Sequence, residues 1–191
     1  MAKEHFDLRK KNQLDKEDKS LKQGWDKKIK KLCEKINLLE DFYTTSSCSG
    51  RVLLIIDEKE KRDDLFLFCS HEFIDFEGLK NALENIKNNR LIYFKTDPCI
   101  LHVACRSLED AQKIHDLAKN SGWKRCGIIS SNKRFVVELN GTSRIEMPIV
   151  IDSNVLVDDK FIKILVDESN RKLKISWDLI KRFESEVDKN L

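Results

Sequence analysis

The chain has 191 residues, of which 40% are hydrophobic and 36% are charged, with a formal net charge of +3. This length suits one domain with a substantial core, and the composition is typical of a soluble globular protein with a strongly charged surface. No apolar run approaches the roughly 18 residues that would span a bilayer, and residues 1–11 lack the apolar stretch of a secretory signal.

The charge is distributed unevenly along the chain. Residues 1–35 carry twelve basic and seven acidic side chains, a net charge of +5, and the remaining residues carry 24 and 26, a net charge of −2. A basic segment on a nearly neutral body suits an anionic partner such as RNA, although a solvated, salt-bridged helix explains the same pattern. Because residues 1–20 show little periodicity, we expect a basic, loosely ordered N-terminal arm there and a single domain over 21–191.

The six cysteines contain no Cys-x-x-Cys pair. Their spacing is not that of a zinc site, and no metal is expected. Without a secretory context, reduced thiols in a cytoplasmic protein are the simplest interpretation.

The first half of the chain predicts a helix, a polar loop and a hairpin. Apolar residues recur at three- and four-residue steps from Lys22 to Glu40, which is typical of an amphipathic helix. The segment 44–51 follows and contains five hydroxyl residues, a thiol, a glycine and an arginine, which we interpret as a loop. The apolar runs 52–56 and 65–68 predict an antiparallel hairpin with an exposed charged loop.

The middle of the chain predicts two capped helices around two strands. Asp75 is a candidate N-cap for a helix that ends at the asparagines 88–89. Strands are predicted over 91–95 and 100–105, with a turn at 96–98. Ser107 begins the second helix, where it can pair with Asp110 in a variant of the capping box. Gly122 then occupies the position of a left-handed C-cap.

The last third predicts strands over 126–129, 134–139 and 143–147, followed by a long helix from Phe161 to Val187 with a candidate break near Asn170. The dipeptide Asn140-Gly141 is a strong hairpin signal between the last two strands. The expected fold is α+β, with a mixed, mostly antiparallel sheet of hairpin-paired strands and helices between the pairs. The six glycines form neither a Gly-x-Gly turn nor a P-loop, so a Rossmann-type sheet is not expected.

The segment 44–51 is the first candidate site. Gly50 allows a ligand to approach the backbone closely, the hydroxyl groups can donate or accept, and Arg51 can hold a carboxylate or phosphate in a two-point fork. A helix cap followed by a turn would explain the same residues. Cys48 is a candidate nucleophile because Arg51 is nearby, but a small residue packed under a ligand is the preferred interpretation.

Two histidines follow or lie within predicted strands. His71 follows the second strand of the hairpin and is a candidate catalytic proton acceptor, or else a structural hydrogen-bonding group. His102 lies inside a strand and is interpreted as a packed residue.

Three further arginines, Arg106, Arg125 and Arg144, stand at element boundaries. Together with Arg51 they can converge on anionic groups such as RNA phosphates or a ligand carboxylate, although each alone is more typical of a surface ion pair. Trp123, beside Lys124 and Arg125, can stack on a nucleobase or fill the core.

Five blocks of the sequence resemble, in order, the tRNA wybutosine-synthesizing protein 3 family. The first is Thr-Thr-Ser-Ser-Cys-Ser-Gly-Arg at 44–51, and the others are Cys-Ser-His-Glu at 69–72, His102 to Arg106, Ser-Gly-Trp-Lys-Arg-Cys-Gly-Ile at 121–128, and residues 136–139 with 141–148. The resemblance extends from Trp25 to the C-terminus. One departure is the segment 140–143, where the family pattern is more basic, which affects the assignment of Arg144.

The resemblance implies a methyltransferase that uses S-adenosylmethionine as cofactor. Its substrate would be phenylalanine tRNA, methylated at N4 of the 7-aminocarboxypropyl-demethylwyosine next to the anticodon. The implied binding positions are Ser46, Ser47, Cys48, Ser49, Gly50 and Arg51, with Arg106, Trp123, Arg125 and Arg144 as supporting groups and His71 as the catalytic candidate. Two other classes remain open, namely a non-catalytic RNA-binding module and a thiol-dependent enzyme in which a histidine activates Cys48.

Overall fold

A computed structural model describes residues 2–16, 26–56, 58, 65–132 and 134–191. These residues form five helices and nine strands. The helices are α1 (Ala2–Leu14), α2 (Lys27–Leu38), α3 (Phe76–Glu84), α4 (Leu108–Asn120) and α5 (Asp159–Asn190). The strands are β1 (Phe42–Cys48), β2 (Arg51–Ile56), β3 (Phe66–Ser70), β4 (Ile92–Asp97), β5 (Ile100–Cys105), β6 (Arg125–Ser130), β7 (Phe135–Asn140), β8 (Ile145–Ile151) and β9 (Asn154–Val155).

The chain folds into two compact units built from interleaved segments. The first unit contains residues 1–49, 99–142 and 177–191, and the second contains 50–98 and 143–176. The stretch 21–191, expected to form one domain, therefore contributes to both units. Each unit has its own sheet, and every strand pair in both sheets is antiparallel. The predicted α+β class, with a mostly antiparallel arrangement and no Rossmann-type sheet, is confirmed.

The first unit has a four-stranded sheet in the order β1-β5-β7-β6. Helices α2 and α4 pack against it. The core residues of its central strands, Leu101, Val103, Val137 and Leu139, have no exposed surface. Because side chains alternate along a strand, these four share one face of the sheet and leave the intervening residues on the other.

Helix α1 belongs to the first unit. Phe6 is buried, and its ring lies 5.2 Å from that of Tyr43. The side chain of Gln13 donates to the carbonyl of Thr45. Residues 2–14, for which the sequence predicts a loosely ordered arm, are thus helical, and Phe6 and Gln13 contact β1. Residues 17–20 of that arm lie outside the described part.

The second unit has a five-stranded sheet in the order β3-β2-β4-β8-β9. Strand β4 buries Ile92, Phe94 and Thr96 and leaves the alternate residues half-exposed, which is the pattern of a sheet with one covered face. The connection between β2 and β3 contains the predicted charged loop, of which the structure describes only Glu58. Within the described part of the chain, none of the helices combines the length and apolar character that a bilayer crossing requires.

Two predicted hairpins are wrong. Strands β4 and β5 lie in different sheets, and so do β7 and β8, which flank Asn140-Gly141. The N–H of Gly141 donates to the carbonyl of Cys99, which precedes β5. The dipeptide therefore extends the pairing of β7 with β5 and does not form a turn. The tight turn is at Asp152 and Ser153, whose φ angles of 47° and 62° suit a two-residue hairpin between β8 and β9.

The local helix signals agree closely with the structure. Asp75 accepts from the N–H of Gly78, Ser107 accepts from the N–H of Asp110, and Gly122 adopts a φ of 96° after α4. Helix α2 is described from Lys27 onward, and its predicted start at Lys22 lies outside the described residues. The candidate break near Asn170 is absent, because α5 is continuous there and the Asn170 side chain instead bonds the backbone of Ile74.

Candidate functional site

The hydroxyl-rich segment is a strand and not the predicted loop. Phe, Tyr and Thr at its start favour extended structure, and residues 42–48 pair with β5. The register places Ser46 opposite His102 and Cys48 opposite Ile100, with a bulge after Thr44. Alternation along the strand then separates the motif, with Ser46 and Cys48 on one face and Ser47 on the other.

The face that carries Ser46 is accessible, and we call it the open face of the first sheet. Ser46 is exposed and Cys48 is half-buried. Strand register adds residues from the other three strands to this face. Its polar members away from α1 include Ser46, Cys48, His102, Arg125, Glu138 and Asn140.

Three of these side chains form one hydrogen-bonded chain. Ser46 Oγ lies 3.0 Å from His102 Nδ1, and His102 Nε2 lies 2.8 Å from Glu138 Oε2. The side chains of His102 and Glu138 are 24% and 35% exposed. These three residues and Gly127 on β6 are register partners and form one row across the sheet. A Cβ atom added at Gly127 would meet no atom within 4 Å. Solvent or a ligand therefore reaches the row directly.

One end of this face is closed by helix α1. Phe6 packs there with Tyr43, Ala104 and Val136 in a buried cluster. Desolvation raises the pKa of the Tyr43 hydroxyl, and the charges of Arg134 and Arg9 oppose that shift. The accessible polar part of the face thus begins at Ser46.

Ser47 lies on the opposite face, toward α2. Burial raises the pKa of the Cys33 thiol to about 12, and hydrogen bonds with Ser47 and Thr44 oppose this shift. Thr44 also donates from its backbone N–H to Asn37 Oδ1 over 2.7 Å. These contacts place Ser47 on the packed side of β1.

Ser49 and Gly50 form the turn after β1. The N–H of Ser49 donates to Asp26 Oδ2 over 2.9 Å, its hydroxyl donates to the same oxygen over 3.3 Å, and the residue has no exposed surface. Gly50 has a φ of 102°, a conformation that side-chain-bearing residues rarely adopt. The serine thus anchors the turn, and the glycine permits it.

Arg51 opens β2 in the second unit. Its Nε lies 3.2 Å from Asp97 Oδ2, and its guanidinium lies 5.5 Å from the centre of the Phe66 ring. The side chain is 35% exposed. Its two terminal amino groups have no hydrogen-bond partner among the residues that the structure describes. This leaves a fixed, forked donor for an anion.

His71 follows β3 in the same unit and is half-buried. The hydroxyl of Ser70 donates to the Glu72 carbonyl and accepts from the Glu72 N–H, which shapes the turn around His71. The predicted position at a strand end is therefore present. The catalytic role of His71 stays a prediction.

The other arginines differ in their surroundings. Arg106 bonds Asp41 and Asp7, lies over the Phe6 ring and is only 14% exposed. Its pKa is raised chiefly by the hydrogen bond to Asp7. Its guanidinium is thus part of the packing of α1. Arg125 is exposed on the open face, and Arg144 is exposed in the second unit.

Trp123 is in the core of the first unit. It has no exposed surface, and its ring lies 6.2 Å from that of Phe183 in an edge-on arrangement. A fully buried indole offers no face to a nucleobase, so the stacking prediction is wrong and the core interpretation holds. Aromatic residues at a helix–strand junction are the usual way to fill such a space.

The sequence does not predict the hydrogen-bonded contacts of His102 with Ser46 and Glu138. The position of His102 inside a strand indicates a packed residue, and no motif marks Glu138 as a site residue. Both lie in blocks that carry the family resemblance, but only the pairing of β1, β5 and β7 brings them to Ser46. No local signal in the sequence encodes that register.

An open, basic depression lies beside helix α1 in the first unit. It has a volume of about 550 Å³ and is lined by Arg9, Ser130, Asn132 and Arg134. Two arginines, from α1 and from the β6–β7 connection, supply positive charge, and the described residues of the lining include no acidic side chain. The depression suits a phosphate group.

Comparison with known proteins identifies relatives across nearly the whole chain. The family model described as Methyltransferase TYW3 matches residues 7–189. A protein of Methanocaldococcus jannaschii, named tRNA(Phe) 7-((3-amino-3-carboxypropyl)-4-demethylwyosine(37)-N(4))-methyltransferase, is 37% identical over 85% of this chain and 86% of its own length. A tRNA wybutosine-synthesizing protein 3 homolog of Xenopus laevis is 34% identical over 92% of this chain and 72% of its own.

Solved structures agree with these sequence matches. The PH1069 protein from Pyrococcus horikoshii superposes with a TM-score of 0.87 at 29% identity, covering 98% of this chain and 96% of that one. A hypothetical protein from Aeropyrum pernix gives a TM-score of 0.73 at 25% identity, over 86% of this chain and 98% of that one.

Proposed function

Because the chain belongs to the methyltransferase TYW3 family, we propose that it methylates N4 of 7-aminocarboxypropyl-demethylwyosine in phenylalanine tRNA. The observation that carries this proposal is the family match over residues 7–189, together with relatives named for that reaction that align over most of their own length. We further propose that it acts in the cytoplasm.

The proposed methyl donor is S-adenosylmethionine, which supplies a methyl group already activated on a positively charged sulfur. Such a transfer needs little covalent chemistry from the protein. Its main requirement is that donor and acceptor are held in line at near-attack distance, which accounts for much of the rate in reactions of this kind. A site rich in fixed hydrogen-bonding groups meets that requirement.

The residues present fit such a donor and a nucleobase. The donor carries a carboxylate, and Arg51 presents two amino groups that no described residue binds, beside an Nε held by Asp97. We assign Arg51 to an anion, either this carboxylate or a tRNA phosphate. The left-handed backbone at Gly50 allows a ligand to approach closely there. Ser47 and Ser49 act as supports of β1 and its turn.

The open face is assigned to the acceptor base. Ser46 and Cys48 offer a hydroxyl and a thiol, and Arg125 offers a positive charge for an adjacent phosphate. Arg144 and His71, in the second unit, remain candidates for tRNA contact and proton transfer. A non-catalytic RNA-binding module would use the same arginines but would not bind a methyl donor.

Donor binding and methyl transfer test the proposal directly. We expect S-adenosylmethionine to bind the purified protein in calorimetry and to methylate phenylalanine tRNA that carries the demethylated precursor. Replacing Arg51 with alanine should weaken donor or tRNA binding about 10- to 100-fold, since a charge-assisted two-point contact contributes roughly 1.5–3 kcal/mol.

Arg171→Ala is the matched control, because Arg171 is also in the second unit but pairs with Glu168 along its own helix. It should leave both affinities unchanged. A wild-type protein that binds the tRNA but neither binds the donor nor transfers a methyl group would favour the RNA-binding module.

A further inference from the structure

The chain of hydrogen bonds on the open face has a direction. We propose that Ser46, His102 and Glu138 form a proton relay that removes the proton from the nitrogen being methylated. This inference rests on the proposed function and assigns its acid–base chemistry to three residues of the first sheet. Ser46 is the contact residue, His102 the proton acceptor, and Glu138 the positioning residue.

The direction follows from what each group can donate. An ionised Glu138 carboxylate only accepts hydrogen bonds, so His102 Nε2, 2.8 Å away, carries the proton that joins them. In the neutral ring Nδ1 is then an acceptor. Ser46 Oγ, 3.0 Å from Nδ1, must therefore donate its proton to the ring. The lone pairs of the serine oxygen remain available on the exposed side.

The exposed Ser46 oxygen, which can accept a hydrogen bond, matches the chemistry of the base that is methylated. The nitrogen to be methylated is unsubstituted in the precursor, so its neutral form carries a hydrogen. Ser46 is exposed, and no side chain covers the row at Gly127. A nucleobase placed over the row can thus direct its N–H toward the serine oxygen.

The backbone of the sheet fixes the relative positions of the three residues. Ser46, His102 and Glu138 are direct register partners on the adjacent strands β1, β5 and β7. Hydrogen bonds on an accessible face contribute little to stability, because water can replace them. A fully polar row that adds little to folding, yet has each member oriented by the next, is better explained by a chemical role.

The proton transfer balances with the methyl transfer. The nitrogen forms a bond to the methyl carbon, while the carbon–sulfur bond of the sulfonium donor breaks and its electron pair stays on sulfur. The N–H bond then breaks, with the proton passing to Ser46 Oγ as the serine proton moves to His102 Nδ1. The resulting imidazolium is stabilised by the Glu138 carboxylate and releases its proton to solvent.

Other titratable groups share this face. The row on one side of the relay contains Cys48 on β1 and Arg125 on β6. On the other side, toward α1, the Tyr43 hydroxyl lies near Arg9. Variants of His102 are therefore compared with the wild type over the whole pH range and not at one pH.

Single-turnover methyl transfer with saturating donor and tRNA provides the test. Replacing His102 with glutamine should lower the rate about 100-fold, the usual contribution of a general base, with donor and tRNA affinities unchanged. The wild-type rate should fall toward low pH, as expected of a reaction that needs a base, and this fall should be absent in H102Q. Added imidazole should restore part of the activity of H102G. Replacement of Ser46 with alanine, or of Glu138 with glutamine, should cost about 10-fold each.

His115→Gln is the matched control. His115 is 26% exposed and lies 3.0 Å from the Asp116 carboxylate, but it is on helix α4 and not on the open face. H115Q should retain the wild-type rate and pH profile. If H102Q fails to fold, S46A and E138Q carry the same test.

Three results would overturn the relay. The first is that H102Q keeps the wild-type rate and pH profile. The second is that H102Q loses rate only because it binds donor or tRNA more weakly. Where H102Q does not fold, S46A and E138Q are judged by the same two criteria. Either result removes the relay while leaving the methyltransferase function intact. Absence of transfer by the wild type with the correct precursor tRNA removes the proposed function, and the relay with it.

Discussion

Two buried hydroxyl groups in the second unit depend on each other. Thr96 Oγ1 lies 2.9 Å from Ser169 Oγ, and neither residue has exposed surface. A buried hydroxyl without a hydrogen bond carries a desolvation cost that water cannot relieve. The pair is therefore stabilising chiefly because each group satisfies the other.

The free-energy losses from removing the two hydroxyl groups should not be additive. Thr96→Val and Ser169→Ala should each lower the free energy of unfolding by about 1–3 kcal/mol, because one hydroxyl remains buried and unpaired. The double variant should lose less than the sum of the two single losses. Urea denaturation measures all three, with Ser131→Ala, at an exposed position, as the control that should change little.

Contacts between individual side chains also explain why the site residues could not all be predicted from the sequence. The hydroxyl-rich segment was recognised as a candidate site from residue types alone. Which serine faces a ligand and which faces α2 depends on strand alternation, and that could not be read from a segment interpreted as a loop. The partner of Ser46 is 56 residues away, so only the folded sheet reveals it.

Helices α2 and α5 are joined within the first unit by a cluster of charges. Glu184 lies 2.9 Å from Lys31 and 2.8 Å from Lys35, and Asp188 also pairs with Lys35. Burial raises the pKa of Glu184, but the hydrogen bonds from Lys35 and Lys31 outweigh it, so the pKa is lowered overall. The carboxylate form is thus favoured by folding.

This cluster predicts a pH-dependent loss of stability. Because the pKa of Glu184 is lower in the folded chain, its contribution is present above its ordinary value of 4.5 and is lost as the pH falls through the folded value. Glu184→Gln should cost about 0.5–1 kcal/mol near neutral pH, the range for partly screened ion pairs, and nothing in strong acid.

Urea denaturation at both pH values checks this expectation. Glu34→Gln is the control, since Glu34 pairs with Lys30 along α2 and both side chains are more than half exposed. An E184Q deficit that persists unchanged in acid would show that packing, and not charge, accounts for the loss.

At the level of elements, local signals were predicted well and distant pairings were not. The caps at Asp75, Ser107 and Gly122 depend on residues within a few positions of each other, and the structure contains all three. The dipeptide Asn140-Gly141 has the composition of a hairpin turn, yet pairing with β5 and a bond to Cys99 keep it extended. Long-range pairing overrode turn propensity there.

For the molecule as a whole, the modest net charge of +3 conceals a local basic surface. The depression lined by Arg9 and Arg134 combines an arginine of α1 with one that precedes β7. Phosphate contacts release counterions, so they weaken RNA binding as salt is added. A contact at this depression would therefore be visible in the salt dependence of tRNA affinity.

The double variant Arg9→Gln and Arg134→Gln should reduce the slope of log affinity against log salt by about 1.4–1.8, which corresponds to two lost phosphate contacts. Lys160→Gln with Lys174→Gln removes the same charge from the exposed surface of α5 and serves as the control. Equal slopes for the two double variants would assign the effect to overall charge and exclude a contact at the depression.

The contact between Trp123 and Phe183 has a consequence for synthesis on the ribosome. Residues 177–191 complete the first unit, and Phe183 packs against the fully buried Trp123. At about 5–20 residues per second, the nascent chain presents this indole uncovered for several seconds before its partner is made. A truncated message that ends before codon 177 would never encode Phe183. We therefore expect such truncated products to be recognised by chaperones and degraded, and not to accumulate as partly active enzyme.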